Sequence, residues 1–429
     1  MGKQSKKHSN RPSSKRQATQ PINNQSSSFT PVIVILVVCV AVSVGFFWRT
    51  SDSPTSTKPV VVEYVGPLPD VFEVDVCRID SCKKIQIQKA DGFDRTAQKM
   101  CEALGVNSPV SILNQTGASV SSLSGLYSVS EERGKERGLQ ETWRGVKLLV
   151  GDEKFFWPLP KSGKGRNDPH FNESFVHYMS DGHRVVVKPL FDSPRVYEIS
   201  NFLTDEECDH LITRAKQFKK ANKFVESSVG GDDATKTKSD VRTSTQAWIG
   251  PAQHNDDAIF ARLRQRASEF LGIGLELAED TQVVHYSEKQ QYLGHHDYTP
   301  ASSIPSNKYF AAGGNRLATL LYYLNDVPEG GDTRFPYAQE VPPYPKEESW
   351  KLYQSGSCSS GGMGVQPERG KAILFYSLLE EGHMEGAVDP TSLHAACPAG
   401  KQEKWLANQW FRNKRVFING KWHLYDNIW

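Results

Sequence analysis

The stretch Tyr292-Leu-Gly-His-His-Asp-Tyr298 decides how this sequence is interpreted. Residues two apart in a β-strand point to the same side of the sheet. If this stretch is a strand, His295 and Asp297 share one face, and His296 points away from it. One imidazole and one carboxylate on the same face supply two ligands of a two-histidine, one-carboxylate iron site, which leaves coordination positions open.

The third ligand of such a site has to come from a distant strand. His394, within Ser392-Leu-His394-Ala, is the best candidate. Short motifs match often by chance, so the H-x-D pattern needs support from elsewhere. Lys404 supplies it, at the start of the largely apolar run that ends at Trp410. A buried ammonium is costly unless an anion pairs with it. Lys404 is therefore either the partner of a dicarboxylate or a surface residue at the start of a strand.

Helices and then short strands surround these residues. Thr204 and Glu207 form a capping box, which predicts the start of a helix. A second helix is predicted near Asp257–Leu271 and ends at Gly272. The predicted strands are Thr281–Ser287, Tyr292–Tyr298, Leu317–Leu324, Lys371–Tyr376, Ser392–Pro398 and Trp405–Phe411. This order predicts an α+β domain with a β-sandwich or barrel core.

Residues from about 195 to 412 resemble the catalytic domain of prolyl 4-hydroxylases. Motifs in the expected order carry the resemblance. They are Ile199–Cys208, Val241–Ser244, Val284–Tyr286, His295-x-Asp297, Arg316–Thr319, Gly330–Pro336, Gly370–Phe375, His394–Pro398 and Lys404-Trp405 with Trp410. The resemblance implies a double-stranded β-helix, or jelly-roll, oxygenase core with flanking helices. We assign the dioxygenase domain to residues 185–429.

The resemblance also implies roles for the metal and substrate residues. His295, Asp297 and His394 are the implied Fe(II) ligands. Arg316 and Trp410 match positions on the substrate side or close to the metal. The implied reaction is 4-hydroxylation of peptidyl proline, coupled to oxidative decarboxylation of 2-oxoglutarate to succinate.

The implied cosubstrate pocket contains three residues. Lys404 pairs with the far carboxylate of 2-oxoglutarate, and Tyr286 and Thr333 hydrogen bond the same carboxylate. Lys404 and the three metal ligands together form the implied catalytic set. Molecular oxygen is the second cosubstrate, and ascorbate is the implied reductant that restores oxidised iron.

The first 66 residues predict attachment to a membrane. Residues 1–30 are basic and polar with no acid, which predicts a disordered cytoplasmic tail. Residues 31–48 (PVIVILVVCVAVSVGFFW) carry no charge, and as a helix they span about 27 Å, close to a bilayer core. Residues 49–66 are a stem. Because basic flanks stay cytoplasmic, we expect a single-pass type II protein of the endoplasmic reticulum or Golgi. A cleaved signal peptide is the alternative.

Residues 67–160 predict a small lumenal α+β module of unknown role, followed by a linker over residues 161–184. Asn114-Gln-Thr and Asn172-Glu-Ser are glycosylation acceptor patterns, which agree with a lumenal glycoprotein. In an oxidising lumen, six cysteines allow up to three disulfides in any of 15 connectivities. They are Cys77, Cys82, Cys101, Cys208, Cys358 and Cys397.

The sequence leaves substrate and partners partly open. The formal net charge of +2 indicates no particular partner. The expected partners are a proline-rich secretory protein or peptide and the membrane, and no nucleic acid. An insertion at residues 336–363 is either a polar surface loop or a substrate-gripping loop. The alternatives are an oxygenase acting on another residue or a small molecule, and a binding protein that has lost catalysis.

Overall fold

A computed structural model describes the chain in twelve stretches. They are residues 64–79, 81–107, 110–131, 145–158, 174–220, 225–227, 242–250, 257–299, 314–338, 358–359, 361–418 and 421–423. The predicted tail and membrane anchor, and most of the stem, lie outside them. Within these stretches, no helix has both the length and the apolar composition that crossing a bilayer requires.

The N-terminal module has a four-stranded sheet and two helices. Its elements are β1 (Val71–Arg78), β2 (Ser81–Gln88), α1 (Gly92–Leu104), β3 (Val110–Leu113), α2 (Leu123–Glu131) and β4 (Val146–Val150). The strand order is β2-β1-β4-β3, and β1 runs parallel to β4. Phe72, Val74 and Val76 alternate into a buried apolar cluster of the module. This α+β composition agrees with the sequence prediction.

The rest of the described chain forms the oxygenase domain, which contains fifteen strands and two α-helices. Its elements are β5 (Phe175–Tyr178), β6 (Arg184–Asp192), β7 (Arg195–Ser200), α3 (Asp205–Lys220), β8 (Val225–Glu226), β9 (Thr245–Ile249), α4 (Ala258–Leu271), β10 (Thr281–Tyr286), β11 (Tyr292–His295), β12 (Arg316–Tyr323), β13 (Thr333–Phe335), β14 (Met363–Val365), β15 (Ala372–Tyr376), β16 (His394–Ala396), β17 (Lys404–Arg412), β18 (Val416–Ile418) and β19 (Lys421–His423). A short 3-10 turn at Pro390–Ser392 precedes β16.

Two sheets form the core of this domain. The larger has the order β5-β6-β7-β15-β12-β17-β10-β9-β8, and the smaller has the order β11-β16-β13-β14. One buried apolar cluster combines Tyr286, Tyr323 and Phe375 of the larger sheet with Phe335 and Val365 of the smaller. The sheets therefore pack face to face, in the manner of a sandwich. The predicted α+β class with a sheet-rich oxygenase core is confirmed.

Local capping explains where the two long helices start and stop. Glu207 N donates to Thr204 Oγ1 at 3.2 Å, and Thr204 N donates to Glu207 Oε2 at 3.0 Å, which is the predicted capping box. Asp257 accepts hydrogen bonds from the first amides of α4, and Gly272 ends α4 with φ of 62°. Glycine adopts this left-handed conformation without steric cost.

The predicted linker differs from the structure. Residues 161–184 contain β5, which pairs with β6 at the edge of the larger sheet. Phe175 and His177 are buried whereas Val176 and Tyr178 are exposed, so an alternating pattern marks the strand. The strand has only four residues and lies between polar residues, so the sequence pattern did not predict it.

The end of the predicted N-terminal module packs against the oxygenase domain. Phe155, Phe156 and Trp157 belong to the large core of the oxygenase domain. Trp157 Nε1 donates to the carbonyl of Phe270 at 2.8 Å, and Tyr197 Oη donates to the carbonyl of Trp157 at 2.6 Å. These three large apolar side chains are therefore removed from water by the oxygenase core.

Two of the three allowed disulfides are present among the described cysteines. Cys77 pairs with Cys82 across the β1–β2 hairpin, and Cys358 pairs with Cys397 directly after β16. Cys101 and Cys208 are free thiols. The second disulfide ties the end of the predicted insertion to the strand that carries His394. Most of that insertion lies outside the described residues.

Candidate active site

Strand pairing brings the two predicted histidine ligands together. His295 on β11 and His394 on β16 are direct partners in an antiparallel pair. Their ring centroids lie 4.3 Å apart. Side chains that face each other across neighbouring strands are close because the strands are about 5 Å apart. The pairing of β11 with β16 thus brings together two histidines that are far apart in the sequence.

Asp297 joins these histidines although the strand ends earlier than predicted. The expected strand Tyr292–Tyr298 stops at His295, after a register irregularity against β16. Asp297 Oδ1 lies 3.8 Å from His295 Nε2, and Asp297 Oδ2 lies 3.8 Å from His394 Nε2. Among the described residues, this is the one cluster of three metal-ligating side chains, with ligand atoms within 4.8 Å.

The pKa values of His295 and Asp297 are shifted in the directions that favour a bound cation. Burial and the neighbouring His394 lower the pKa of His295 well below its usual range. Burial alone would raise the pKa of Asp297, but His394 and His295 hold that pKa well below its usual range. The histidine is then neutral and the aspartate ionised, which are the protonation states that metal ligands require.

Hydrogen bonds orient each ligand and leave one donor atom for a metal. His295 Nδ1 donates to the carbonyl of Leu293 at 2.9 Å, and His394 Nδ1 donates to that of Ser392 at 3.0 Å. Both Nε2 atoms are then lone-pair donors.

Asp297 Oδ2 is oriented in the same way by two donors. Thr319 Oγ1 donates to Asp297 Oδ2 at 2.6 Å, and Trp410 Nε1 donates to the same oxygen at 2.9 Å. Neither bond uses Oδ1. Two nitrogens and one carboxylate oxygen on one side of a centre fit Fe(II) in a facial triad.

Lys404 carries a buried ammonium close to this centre. The residue has 0% exposure, and its Nζ has no hydrogen-bond partner among the described residues. It lies 5.5 Å from the ring centre of Tyr286 and 5.7 Å from that of Tyr323. Burial lowers the pKa of Lys404 to about 7, although the charge of Asp332 acts in the opposite direction. An unpaired buried cation of this kind fits an anionic ligand.

Hydroxyl groups surround the same pocket. Tyr286 on β10 is the strand partner of Lys404 on β17. Tyr323 Oη lies 2.8 Å from Thr333 Oγ1. The structure therefore places Tyr286 and Tyr323 beside Lys404, and Thr333 beside Tyr323. The carboxylate contacts of Lys404, Tyr286 and Thr333 stay a prediction. A carboxylate with its several lone pairs suits one ammonium and nearby hydroxyls.

The ammonium and the metal ligands line one apolar cluster. His394 packs against Phe375 and Phe335, at 4.5 and 5.9 Å between ring centres. Those two rings belong to the same buried cluster as Tyr286 and Tyr323. Lys404 and His394 therefore contact the same buried cluster between the two sheets.

Arg316 is held flat against Trp410. Its guanidinium carbon lies 3.9 Å from the Trp410 ring centre. Glu279 accepts from Arg316 at 2.9 and 2.8 Å and from Arg412 Nε at 2.7 Å. Burial opposes ionisation of Glu279, but the two arginines lower its pKa to about 2. Both residues predicted for the substrate side therefore lie next to Asp297.

Sequence reasoning missed two further neighbours of His295. The Tyr292 ring stacks on His295 with 3.5 Å between centres. The Arg242 guanidinium lies 4.5 Å from the Tyr292 ring centre, and Arg242 forms a β-bridge with Tyr292. Arg242 belongs to a motif that carries the resemblance and Tyr292 begins the stretch that contains His295, but only the fold shows that Tyr292 stacks on a ligand and that Arg242 covers Tyr292.

The other histidines close to the site point elsewhere. His296 Nε2 donates to the carbonyl of Pro390 at 2.9 Å, which agrees with the expectation that it faces away from the metal. His383 is buried and packs against Phe156. His285 packs against Trp405 with 4.2 Å between ring centres. None of these belongs to the cluster of three ligands.

Comparison with known proteins gives the same chemistry. A sequence model described as 2OG-Fe(II) oxygenase superfamily matches residues 281–412. Two Arabidopsis thaliana proteins are similar to this chain. Probable prolyl 4-hydroxylase 6 is 36% identical over 218 residues, which cover 51% of this chain and 69% of the relative. Prolyl 4-hydroxylase 2 is 36% identical over 225 residues, which cover 52% and 69%.

A solved structure is also similar over the same portion of the chain. It is a viral collagen prolyl hydroxylase of Paramecium Bursaria Chlorella virus-1, in complex with 2-oxoglutarate. It is 26% identical, covers 51% of this chain and 95% of its own, and has a TM-score of 0.35.

The family membership follows from the two plant relatives, each matched over 69% of its length. Fe(II), 2-oxoglutarate, O2 and ascorbate are the cofactors and cosubstrates of such enzymes. His295, Asp297 and His394 fit the iron, and Lys404 fits the dicarboxylate. The chain belongs to the prolyl 4-hydroxylase family of Fe(II)/2-oxoglutarate-dependent dioxygenases.

Proposed function

We propose that this enzyme hydroxylates C4 of prolyl residues in proline-rich chains of the secretory pathway. The observation that supports it most is the combination of the three ligands His295, Asp297 and His394 with the buried, unpaired ammonium of Lys404. Relatives that carry the name prolyl 4-hydroxylase make proline the favoured target.

The protein's own residues have to hold and orient the reactants. Bound iron and 2-oxoglutarate supply the oxidising chemistry, in which decarboxylation to succinate accompanies hydroxylation. His295 and His394 present Nε2 because their Nδ1 atoms are engaged by backbone carbonyls. Lys404 fixes the far carboxylate of 2-oxoglutarate, and the apolar rings of Phe335 and Phe375 exclude water beside His394.

On the substrate side, we assign Arg316 and Trp410 to the entrance of the metal site. The Trp410 indole donates to Asp297, and its ring supports the Arg316 guanidinium. Trp248 lies beside it at 5.6 Å between ring centres and is 37% exposed. Aromatic faces of this kind suit proline rings in an extended polyproline II peptide.

The enzyme assay that tests this function uses the full chain in detergent with Fe(II), 2-oxoglutarate and ascorbate. Proline-rich peptides, the same peptides with lysine in place of proline, and no peptide are compared. We expect succinate release together with one added oxygen on a prolyl residue, and we expect His295→Ala to abolish both. Oxygen on lysine, or succinate without peptide modification, would support an oxygenase of another specificity. No turnover by iron-loaded, folded protein would favour a binding role.

We also propose that the catalytic domain is lumenal and that residues 31–48 anchor it as a type II protein of the endoplasmic reticulum or Golgi. The basic tail ahead of an uncharged run supports this orientation. In sealed microsomes, we expect protease to remove only the N-terminal tail, and we expect alkaline carbonate to leave the chain in the membrane. Full digestion without detergent, or release by carbonate, would contradict the proposal.

The two acceptor patterns for glycosylation are not equivalent in this proposal. Asn114 is 8% exposed, and its Oδ1 accepts from Thr116 N, Thr116 Oγ1 and Ala118 N at 3.0, 2.9 and 2.9 Å. A glycan is attached to Nδ2, and a side chain this buried has no space for one unless the turn opens. We therefore expect a lumenal chain to carry its glycan on Asn172, so that Asn172→Gln removes the mass shift and Asn114→Gln does not.

A further inference from the structure

The connection from β15 to β16 delivers the ligand His394 and folds back on itself as a hairpin. Leu379 N donates to the carbonyl of Ala387 at 2.9 Å, and Asp389 N donates to the carbonyl of Ser377 at 2.9 Å. These bonds join the outgoing and returning arms. A displacement at the tip of the connection is therefore transmitted to its base through these hydrogen bonds.

The base of the connection fixes the orientation of His394. Asp389 Oδ1 accepts from Thr391 N at 2.9 Å and from Thr391 Oγ1 at 2.5 Å. Ser392 N donates to the carbonyl of Asp389 at 3.1 Å. The carbonyl of Ser392 then accepts from His394 Nδ1 at 3.0 Å. A shift of this turn would rotate the imidazole away from the metal.

The tip of the connection carries a carboxylate between two cations. Arg195 Nη1 donates to Glu380 Oε2 at 2.8 Å, and Lys147 of β4 forms an ion pair with Glu380 Oε1. The side chains of Glu380 and Lys147 are 12% and 6% exposed. Burial opposes ionisation of Glu380, but Arg195 and Lys147 hold its pKa below the usual value. Loss of one cation from so buried a group is costly.

A histidine next to Glu380 adds a second contact with the N-terminal part of the chain. Lys154 N donates to His383 Nε2 at 2.9 Å, and His383 Nδ1 donates to the carbonyl of Glu380 at 2.7 Å. The Phe156 ring lies edge-on 5.1 Å from His383 and stacks on Tyr376 of β15 at 4.3 Å. Residues 147–157, which we call the bracing segment, thus hold the tip from several sides.

We propose that the bracing segment fixes the connection that presents His394, and that Lys147 and Glu380 are positioning residues for the iron site. The segment lies outside residues 281–412, the part that matches the oxygenase superfamily. The N-terminal module is then part of the catalytic unit and not a separate binding domain. The inference rests on the iron site of the proposed function and is independent of the substrate.

The test compares Lys147→Met with Lys84→Met in the full chain. Lys84 lies on β2 of the same module. Its Nζ is 3.7 Å from Glu73 Oε2, and both side chains are exposed, so this ion pair is weak. Each protein is loaded with Fe(II) anaerobically and mixed with excess chelator, and hydrogen exchange of residues 377–393 is measured well below the melting temperature. We expect Lys147→Met to release iron about tenfold faster and to exchange faster in residues 377–393. Lys84→Met should match the wild type.

Two further variants keep the proposal open to refutation. Lys147→Arg retains the cation and should restore slow iron release. If Lys147→Met does not fold, Phe156→Leu takes its place, because it removes the ring contact with His383. Wild-type iron release and wild-type exchange in the folded variant would overturn the proposal, even if the melting temperature falls. Neither measurement needs a substrate, so this failure would leave the proposed function untouched.

Discussion

Trp410 Nε1 donates a hydrogen bond of 2.9 Å to Asp297 Oδ2, so an indole on β17 orients the carboxylate ligand. Trp410→Phe keeps the ring that supports Arg316 but removes this N–H group. Because partners behind a metal ligand contribute about 10–100-fold to metal affinity, we expect Trp410→Phe to weaken Fe(II) binding about tenfold. Anaerobic competition with a chromogenic chelator measures this affinity.

Trp405→Phe is the matched control for this prediction. Trp405 lies on the same strand, but its Nε1 donates to Glu403 Oε2 at 3.2 Å and not to a metal ligand. We expect Fe(II) affinity of wild-type strength in Trp405→Phe. Equal loss of iron in both variants would show that the tryptophans act through strand packing alone.

Lys404→Met should have opposite effects on stability and on cosubstrate binding. The variant removes a buried ammonium that has no hydrogen-bond partner among the described residues. Replacement of buried charge by apolar groups is often stabilising by roughly 1–4 kcal/mol, so the melting temperature without 2-oxoglutarate should rise. Binding of 2-oxoglutarate, followed by anaerobic calorimetry, should disappear. A lower melting temperature together with retained binding would contradict the role of Lys404.

The affinity for 2-oxoglutarate should decrease as pH rises above neutrality. Lys404 has a pKa of about 7 in the free protein because it is buried. The bound dianion favours the ammonium form, so the complex holds one more proton than the free protein above about pH 7. Linkage then predicts that affinity falls up to about tenfold per pH unit there.

Titrations between about pH 7 and pH 9 in buffers of different ionisation enthalpy measure both the affinity and the proton uptake. Lys404→Arg is the control, because a guanidinium stays charged throughout this range. Constant affinity in the wild type would contradict the prediction.

Glu279 should contribute stability that is lost in acid. Its pKa falls from 4.5 to about 2 in the folded protein, where burial is outweighed by Arg316 and Arg412. The contribution is therefore fully present above about pH 4.5 and is lost as the pH falls towards 2. A shift of this size corresponds to roughly 3 kcal/mol.

Urea unfolding as a function of pH tests this contribution. Glu279→Gln leaves two buried guanidinium groups without a carboxylate, so we expect the free energy of unfolding to fall by about 3–5 kcal/mol. We also expect this free energy to depend less on pH below about pH 4.5 than in the wild type. Glu276→Gln removes a more exposed carboxylate, 3.2 Å from Arg415, and should change little. If the free energy of unfolding of Glu279→Gln depends on acidic pH as strongly as that of the wild type, other groups cause the loss of stability in acid.

The sequence was most informative where one local pattern corresponds to one contact. The capping box of Thr204 and Glu207 forms as expected, since its partners are three residues apart. His295 and Asp297 converge even though the strand ends at His295, because only one residue separates them in the chain.

Contacts between distant segments were beyond reach of the sequence pattern. The stacking of Arg242 on Tyr292 and the hydrogen bond from Tyr323 to Thr333 join residues of different strands or segments, which local sequence patterns do not pair. The burial of Trp157 in the oxygenase core depends on how the N-terminal module packs, which local periodicity does not encode.

Isotope labelling of the products tests the central claim most directly. The full chain is supplied with Fe(II), 2-oxoglutarate, ascorbate, a proline-rich peptide and oxygen-18 gas. We expect one heavy oxygen at C4 of a prolyl residue and one in succinate, in equal amounts, with both absent in His295→Ala. Heavy oxygen on another residue, or labelled succinate with an unlabelled peptide, would contradict prolyl 4-hydroxylation.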